Sequence, residues 1–228
     1  PRYGPLWFGA FRLCEEIDRV EGSRDLNLGL SMISRAARSI SKELLWKVYL
    51  ESAQMLERAF LNDLGSEDEA PSKKFAELSR KRFAMTCLTC PLNLRWKVWL
   101  ASGRMEVSTG NLKLARRLFQ RAHRAVPDKG RAVALLECVR IEEYEGDAQL
   151  AKSILQNILH AGGSDWKMWL EILLLEARLG NFEKAIHLSQ QALRQHAGTG
   201  RLWAALIQLH HFGEGERMQL KSFVLAFS

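Results

Sequence analysis

GNLKLARRLFQRAHRAVP, residues 110–127, is the stretch on which the reading of the whole chain turns. Ala115, Phe119 and Ala122 recur at the spacing of one helix face, with arginines around them, so the segment reads as an amphipathic helix. Gly110-Asn111 in front of it is a punctuation mark. Glycine closes one helix in the left-handed conformation, and Asn caps the next by accepting backbone N–H bonds. Pro127 stops the segment.

The segment is also one copy of something. With Trp99, Gly110, Ala115, Ala122 and Pro127 as template, a step of 36 residues meets Leu135, Gly146 and Ala151. A further 34 meets Trp169, Gly180, Ala185 and Ala192, and 34 more reaches Trp203. Each glycine is followed by Asn or Asp: Gly110-Asn111, Gly146-Asp147 and Gly180-Asn181. Each unit is therefore helix A, a tight turn, and helix B. The small residues have a mechanical reason, because antiparallel helices approach closely only where a small side chain sits at the crossing.

The N-terminal half repeats less cleanly. SRKRFAMTCLTCP (79–91) aligns with ARRLFQRAHRAVP (115–127), placing Ser79 on Ala115 and Phe83 on Phe119, and its helix A begins near Trp46. That unit is too long, and the surplus, residues 62–74, is polar and acidic with Gly and Pro, so we expect a flexible loop there. Trp7 opens an earlier unit, giving six, the last truncated. The expected core is Trp46, Trp99, Ala115, Phe119, Ala122, Trp169, Ala185 and Trp203. Because units stack on neighbours, we expect a single all-α solenoid of antiparallel helix pairs over 1–228.

The third unit carries Trp99, Gly103, Ala115, Phe119, Ala122 and Pro127, and so resembles a tetratricopeptide repeat. It also resembles the half-a-tetratricopeptide variant, which reads Trp, Glu seven residues on, Gly, then Ala-Arg: here Trp99, Glu106, Gly110 and Ala115-Arg116. Trp169 with Glu176 repeats the relation, Leu135 with Glu142 keeps the Glu, and Cys14 replaces it in the first unit. The closing units look most like those of Prp6-type splicing factors. The resemblance implies a right-handed superhelical solenoid. It also implies a scaffold of RNA-processing complexes: splicing, 3′-end cleavage, ribosomal RNA maturation or organellar transcript stabilisation.

Composition sets outer bounds. Hydrophobic residues make up 47% and charged residues 26%, which is ordinary for a globular protein. The net charge of +7 permits a polyanionic partner without demanding one. No apolar run approaches the roughly 20 residues a membrane helix needs, so no membrane partner is expected. Four cysteines are too few for a disulfide scaffold, which points to a reducing intracellular compartment. The resemblance makes that the nucleus, with organelle or cytoplasm as alternatives. The chain starts without Met and stops inside a helical pattern, so we expect a piece of a longer protein.

Catalytic chemistry is not apparent. Cys87 and Cys90 form a CxxC, half a zinc site or a redox dithiol, but no second pair lies at finger spacing and helix packing explains them better. The six histidines form no spaced cluster, and His210-His211 reads as the wet end of a helix. Neither a phosphate-cradling GxxxxGK[ST] nor a GxGxxG is present. We expect no enzyme, no metal and no cofactor.

Two faces carry the functional expectation. In tetratricopeptide-like solenoids helix A lines the concave surface, where the resemblance places Lys97, Arg104, Arg140, Tyr144, Lys167, Arg178 and Arg201. Such a basic track with aromatics suits a phosphate backbone, an acidic partner helix, or only water. A second, convex patch comprises Arg80, Lys81, Arg82, Arg116, Arg117, Arg121 and Arg124. The carboxylate-gripping adaptor clamp would want Asn where this chain has Ala101, Glu137 and Glu171. Our first expectation is therefore a protein-interaction scaffold, with sequence-tolerant single-stranded RNA binding as the alternative and a peptide-binding adaptor third. Homodimerisation through the repeats is a further option.

Overall fold

The structure, a computed structural model, describes residues 4–22, 26–63, 69–160 and 165–211. Among these residues there are eleven α-helices and no strand: α1 (Gly4–Val20), α2 (Asn27–Ser39), α3 (Leu45–Asp63), α4 (Glu69–Thr89), α5 (Arg95–Ser108), α6 (Leu112–Ala125), α7 (Asp128–Tyr144), α8 (Ala148–His160), α9 (Trp166–Arg178), α10 (Phe182–Gln195) and α11 (Gly200–His211). Odd-numbered helices are A and even-numbered are B. Each A helix from α1 to α9 packs on the B helix that follows it, and B on the next A within the groups below. The chain is all-α and built as a helical solenoid.

The helices gather into two compact units, Pro1–Val126 and Pro127–Ser228. The division falls at Pro127, which has no amide with which to continue α6. In the first unit Phe11, Ile33, Val48, Met55, Leu56 and Phe83 are buried together. In the second, Val139, Leu155, Met168 and Leu175 form one cluster, and Trp169, Leu173, Ala185, Ala192 and Leu202 another.

Three turns obey one rule. Gly110, Gly146 and Gly180 have φ of +76°, +91° and +84°, as the Gly-Asn/Asp pairs predicted. In each, the amide three residues past the helix closes a six-residue loop: Asn111 N–H to Glu106 C=O, Asp147 to Glu142, and Asn181 to Glu176, at 2.8–2.9 Å. The cap differs from expectation. Only Asp147 accepts a backbone bond, from Leu150 N–H at 2.9 Å. Asn111 caps nothing with its side chain, and neither does Asn181, whose amide turns back to donate to Glu176 Oε2 at 2.8 Å.

The loop expected over 62–74 is shorter than drawn, because α3 runs to Asp63 and α4 begins at Glu69. Glu69, Ala70 and Lys73-Lys74 favour helix, and Pro71 falls in the first turn, where its missing N–H costs nothing. Residues 64–68 lie outside the described residues.

Ala115, Phe119, Ala122, Ala185, Trp46 and Trp169 are buried as expected. Trp99 is half-buried and Trp203 is 47% exposed, so these two are not core. The difference is neighbours: α8, α10 and α11 all pack on α9 and cover Trp169, whereas no described helix follows α11 to cover Trp203. Trp203 spends its indole N–H on Ala197 C=O at 2.7 Å. The repeat's tightest crossing lies elsewhere. A Cβ added to Gly103 of α5 would come within 2.7 Å of Phe119 Cδ1 on α6.

Candidate functional site

The charged side chains of the A helices form networks that are written twice. In the first unit Arg58 of α3 grips both oxygens of Glu15 on α1 at 2.7 Å and reaches Glu51 on its own helix at 3.2 Å. Arg12 of α1 closes the square on Glu51 at 2.9 Å. In the second unit Arg178 of α9 grips both oxygens of Glu143 on α7 and reaches Glu171 at 3.3 Å, while Arg140 of α7 contacts Glu171 at 3.2 Å. Arg140 also approaches Glu137, 3.7 Å away on its own helix. Guanidinium and carboxylate meet fork to fork, the geometry in which such pairs are strongest.

This arrangement engages two cations of the expected concave track. Arg140 and Arg178 are neutralised in place, so they do not present bare charge to a phosphate backbone. Tyr144, Lys167 and Arg201 of the same unit are exposed, with Lys167 and Arg201 lying 5.7 and 5.9 Å from the Trp166 ring centre. Lys97 and Arg104 are exposed in the first unit, where Lys97 stands 5.5 Å over Trp96. Lys47 repeats that contact over Trp46 at 5.7 Å. The Trp-Lys step at 46–47, 96–97 and 166–167 thus marks the start of three A helices, a signal that the Trp99-based template passed over.

A second device ties α5 to α4 and α9 to α8. Glu106, 1% exposed, accepts both nitrogens of Arg80 on α4 at 2.8 and 2.9 Å, with Thr109 completing the cluster. Glu176, fully buried, meets Lys152 of α8 at 2.8 Å and Lys184 of α10 at 2.6 Å. Burial pushes the Glu176 carboxyl up, but the bonds from Lys152, Lys184 and Asn181 outweigh it and hold it below the ordinary carboxylate range. Arg80 and Lys152 directly follow the small residues Ser79 and Ala151, and in both places the cation meets the buried Glu of the next A helix. The bond to Glu106 also raises Arg80 above its usual value. Arg80 of the expected convex patch is thus engaged with a buried carboxylate.

What remains of that patch belongs to the first unit. α6 carries Lys113, Arg116, Arg117, Arg121 and Arg124 with no carboxylate on the helix. Arg117, Arg121 and Arg124 are exposed, as is Lys81 on α4, while Arg116 and Arg82 are half-buried. Arg121 lays its guanidinium 4.6 Å over the half-buried Trp99 ring.

The cysteines sit as packing residues. Cys87 is half-buried and Cys90 buried; both thiols are free, and burial pushes both above the usual thiol value. Burial pushes Cys138 up to about 11, helped by Glu142 and Glu137, so it is inert as a nucleophile at neutral pH. His210 and His211 are exposed at the end of α11. Among the described residues no three His, Cys, Asp or Glu side chains gather as metal ligands, and no helix is long and apolar enough to cross a membrane.

The chain is similar to several known proteins. A TPR-containing protein of Dictyostelium discoideum is 40% identical over 225 residues, covering 98% of this chain and 16% of its own length. Pre-mRNA-splicing factor 6 of Saccharomyces cerevisiae is 28% identical over 129 residues, 56% of this chain and 14% of that protein. The human protein RRP5 homolog is 25% identical over 195 residues, covering 79% of this chain and 10% of that protein. The chain thus spans under a fifth of each relative. The crystal structure of a thermophilic TPR protein of Thermus thermophilus covers 90% of this chain and 100% of its own at 16% identity, with a TM-score of 0.43. The family model described as PRP6, TPR-like domain, matches residues 1–228, and the chain belongs to that family.

Proposed function

We propose that this chain is a non-enzymatic scaffold segment that holds protein components of an RNA-processing complex in the nucleus. The observation that carries this reading is the double ion-pair network: Arg140 and Arg178 of the expected RNA track, and Arg58 in the first unit, are engaged in holding consecutive A helices together. A face stiffened in this way suits a rigid platform read by partner helices and peptides. Family membership and the splicing factor among the relatives support RNA processing as the setting. Glu137 and Glu171, which sit at clamp positions and hold Arg140, argue against an adaptor that grips a C-terminal carboxylate.

Direct single-stranded RNA binding is the second reading, favoured by the absence of carboxylates on α6. Affinity purification of the tagged protein from nuclei, with and without RNase, separates the two. Partners that persist after RNase support the scaffold; partners lost with the RNA overturn it.

A further inference from the structure

Beside the arginines of α6 the first unit exposes an aliphatic row. Lys81, Met85 and Leu88 stand on the outward side of α4 at the spacing of one helix face, and Leu88 is 80% exposed. Leu92 follows in the short 3-10 turn Leu92–Leu94, 76% exposed. Trp99 joins this row to α6. It lies beside Cys87, the residue before Leu88, and carries the Arg121 guanidinium 4.6 Å over its ring. Cys87 of α4 and Arg121 of α6 therefore meet at one indole.

Each half of this surface asks for a different complement. Exposed aliphatic groups gain by burial at about 25 cal/mol per Å² of apolar area, and a group of them bordered by charge marks an interaction site. Single-stranded RNA offers base faces that stack on flat rings and guanidinium planes, and leucine provides neither. A protein segment that carries leucine or phenylalanine together with carboxylates satisfies both halves at once. The row along α4 also has the period that a docked helix presents in return.

We propose that this α4–α6 surface docks an acidic amphipathic helix of a partner protein, its apolar side chains on Met85, Leu88 and Leu92 and its carboxylates on Arg121 and Arg124. The proposal rests on the scaffold reading and names the chemistry of one partner.

The test uses the whole chain and three probes: a fluorescent peptide of about 16 residues with Leu at helical i, i+3, i+4 spacing and Glu elsewhere, the same peptide with Ser for Leu, and an oligouridylate of about 12 nucleotides. The Leu peptide is expected to bind about tenfold tighter than its Ser counterpart, and to lose about tenfold or more on Leu88→Ser/Leu92→Ser and on Arg121→Glu/Arg124→Glu. Melting curves should show both variants folded, since the leucines and Arg124 are exposed.

Equal binding of the two peptides, indifference to Leu88→Ser/Leu92→Ser, or no peptide binding overturns the proposal. Oligouridylate binding that falls only with the arginine reversals assigns the surface to RNA and also overturns it. The scaffold reading fails separately, on the loss of RNase-resistant partners. If those persist while the peptide ignores this surface, the scaffold stands and the docking site is elsewhere.

Discussion

Arg58 and Arg178, in two different compact units, make the same contacts: each grips a glutamate on the preceding A helix and a second one seven residues earlier on its own. Such pairs hold the stacking angle between consecutive A helices, because a fork geometry tolerates little rotation. Removing the shared acid should expose what they contribute. Glu171→Ala leaves Arg178 and Arg140 each short of a partner in a largely buried setting, and is expected to lower stability by about 1–3 kcal/mol. Urea denaturation measures it. A loss no greater than that of an exposed Glu183→Ala control would remove the network from the account of rigidity.

The Gly103 crossing predicts sensitivity to a single methyl. Gly103→Ala drives a Cβ against the Phe119 ring and should cost about 1–3 kcal/mol. Combining it with Phe119→Leu should restore part of the loss, since the ring is the obstacle. A Gly103→Ala protein that melts like the parent would show that α5 and α6 can move apart freely.

Three tryptophans in one register should rank by cover. Trp169→Ala is expected to cost about 3–5 kcal/mol, Trp99→Ala about 1–3, and Trp203→Ala about 0.5, in step with their burial. Thermal or chemical melts read the order directly. An equal loss at Trp99 and Trp169 would restore Trp99 to the core.

Glu176 links the stack to pH. Its carboxyl is held below the ordinary range in the folded chain, so the folded state prefers it ionised. That preference stabilises the fold above the carboxylate's unfolded pKa and is lost as pH falls through that value toward the folded one. Glu176→Gln should therefore be less stable at neutral pH and lose less on acidification than the parent. Parallel acid limbs for the two proteins would show that Lys152 and Lys184 contribute nothing through this carboxylate.

Much of the architecture is written locally. Gly110, Gly146 and Gly180 announce their turns because a positive φ has a residue preference that can be read one position at a time. The Asn beside them misleads for the same reason, since capping is its commonest local use, yet Asn181 answers a buried carboxylate five residues back. Composition misplaced the edges of the 62–74 insertion, where polar residues that also favour helix extend α3 and α4. The ion pairs were less legible still. Glu15 and Arg58 lie in repeats of different length, so no fixed spacing relates them to Glu143 and Arg178. The arginines on the A helices were visible in the sequence as charge, but the partners that cancel two of them come from neighbouring repeats.

Glu106 and Glu176 each do two jobs with one residue: the backbone carbonyl receives the amide that shapes the turn, and the side chain anchors the previous B helix. Turn and stacking are thereby phased from a single origin. The step from that glutamate to the turn glycine, the same at 106–110, 142–146 and 176–180, works as a ruler that cannot stretch. Length differences between repeats must then collect outside that step, as the surplus around 62–74 does, and a one-residue insertion inside the ruler would detune both joints at once.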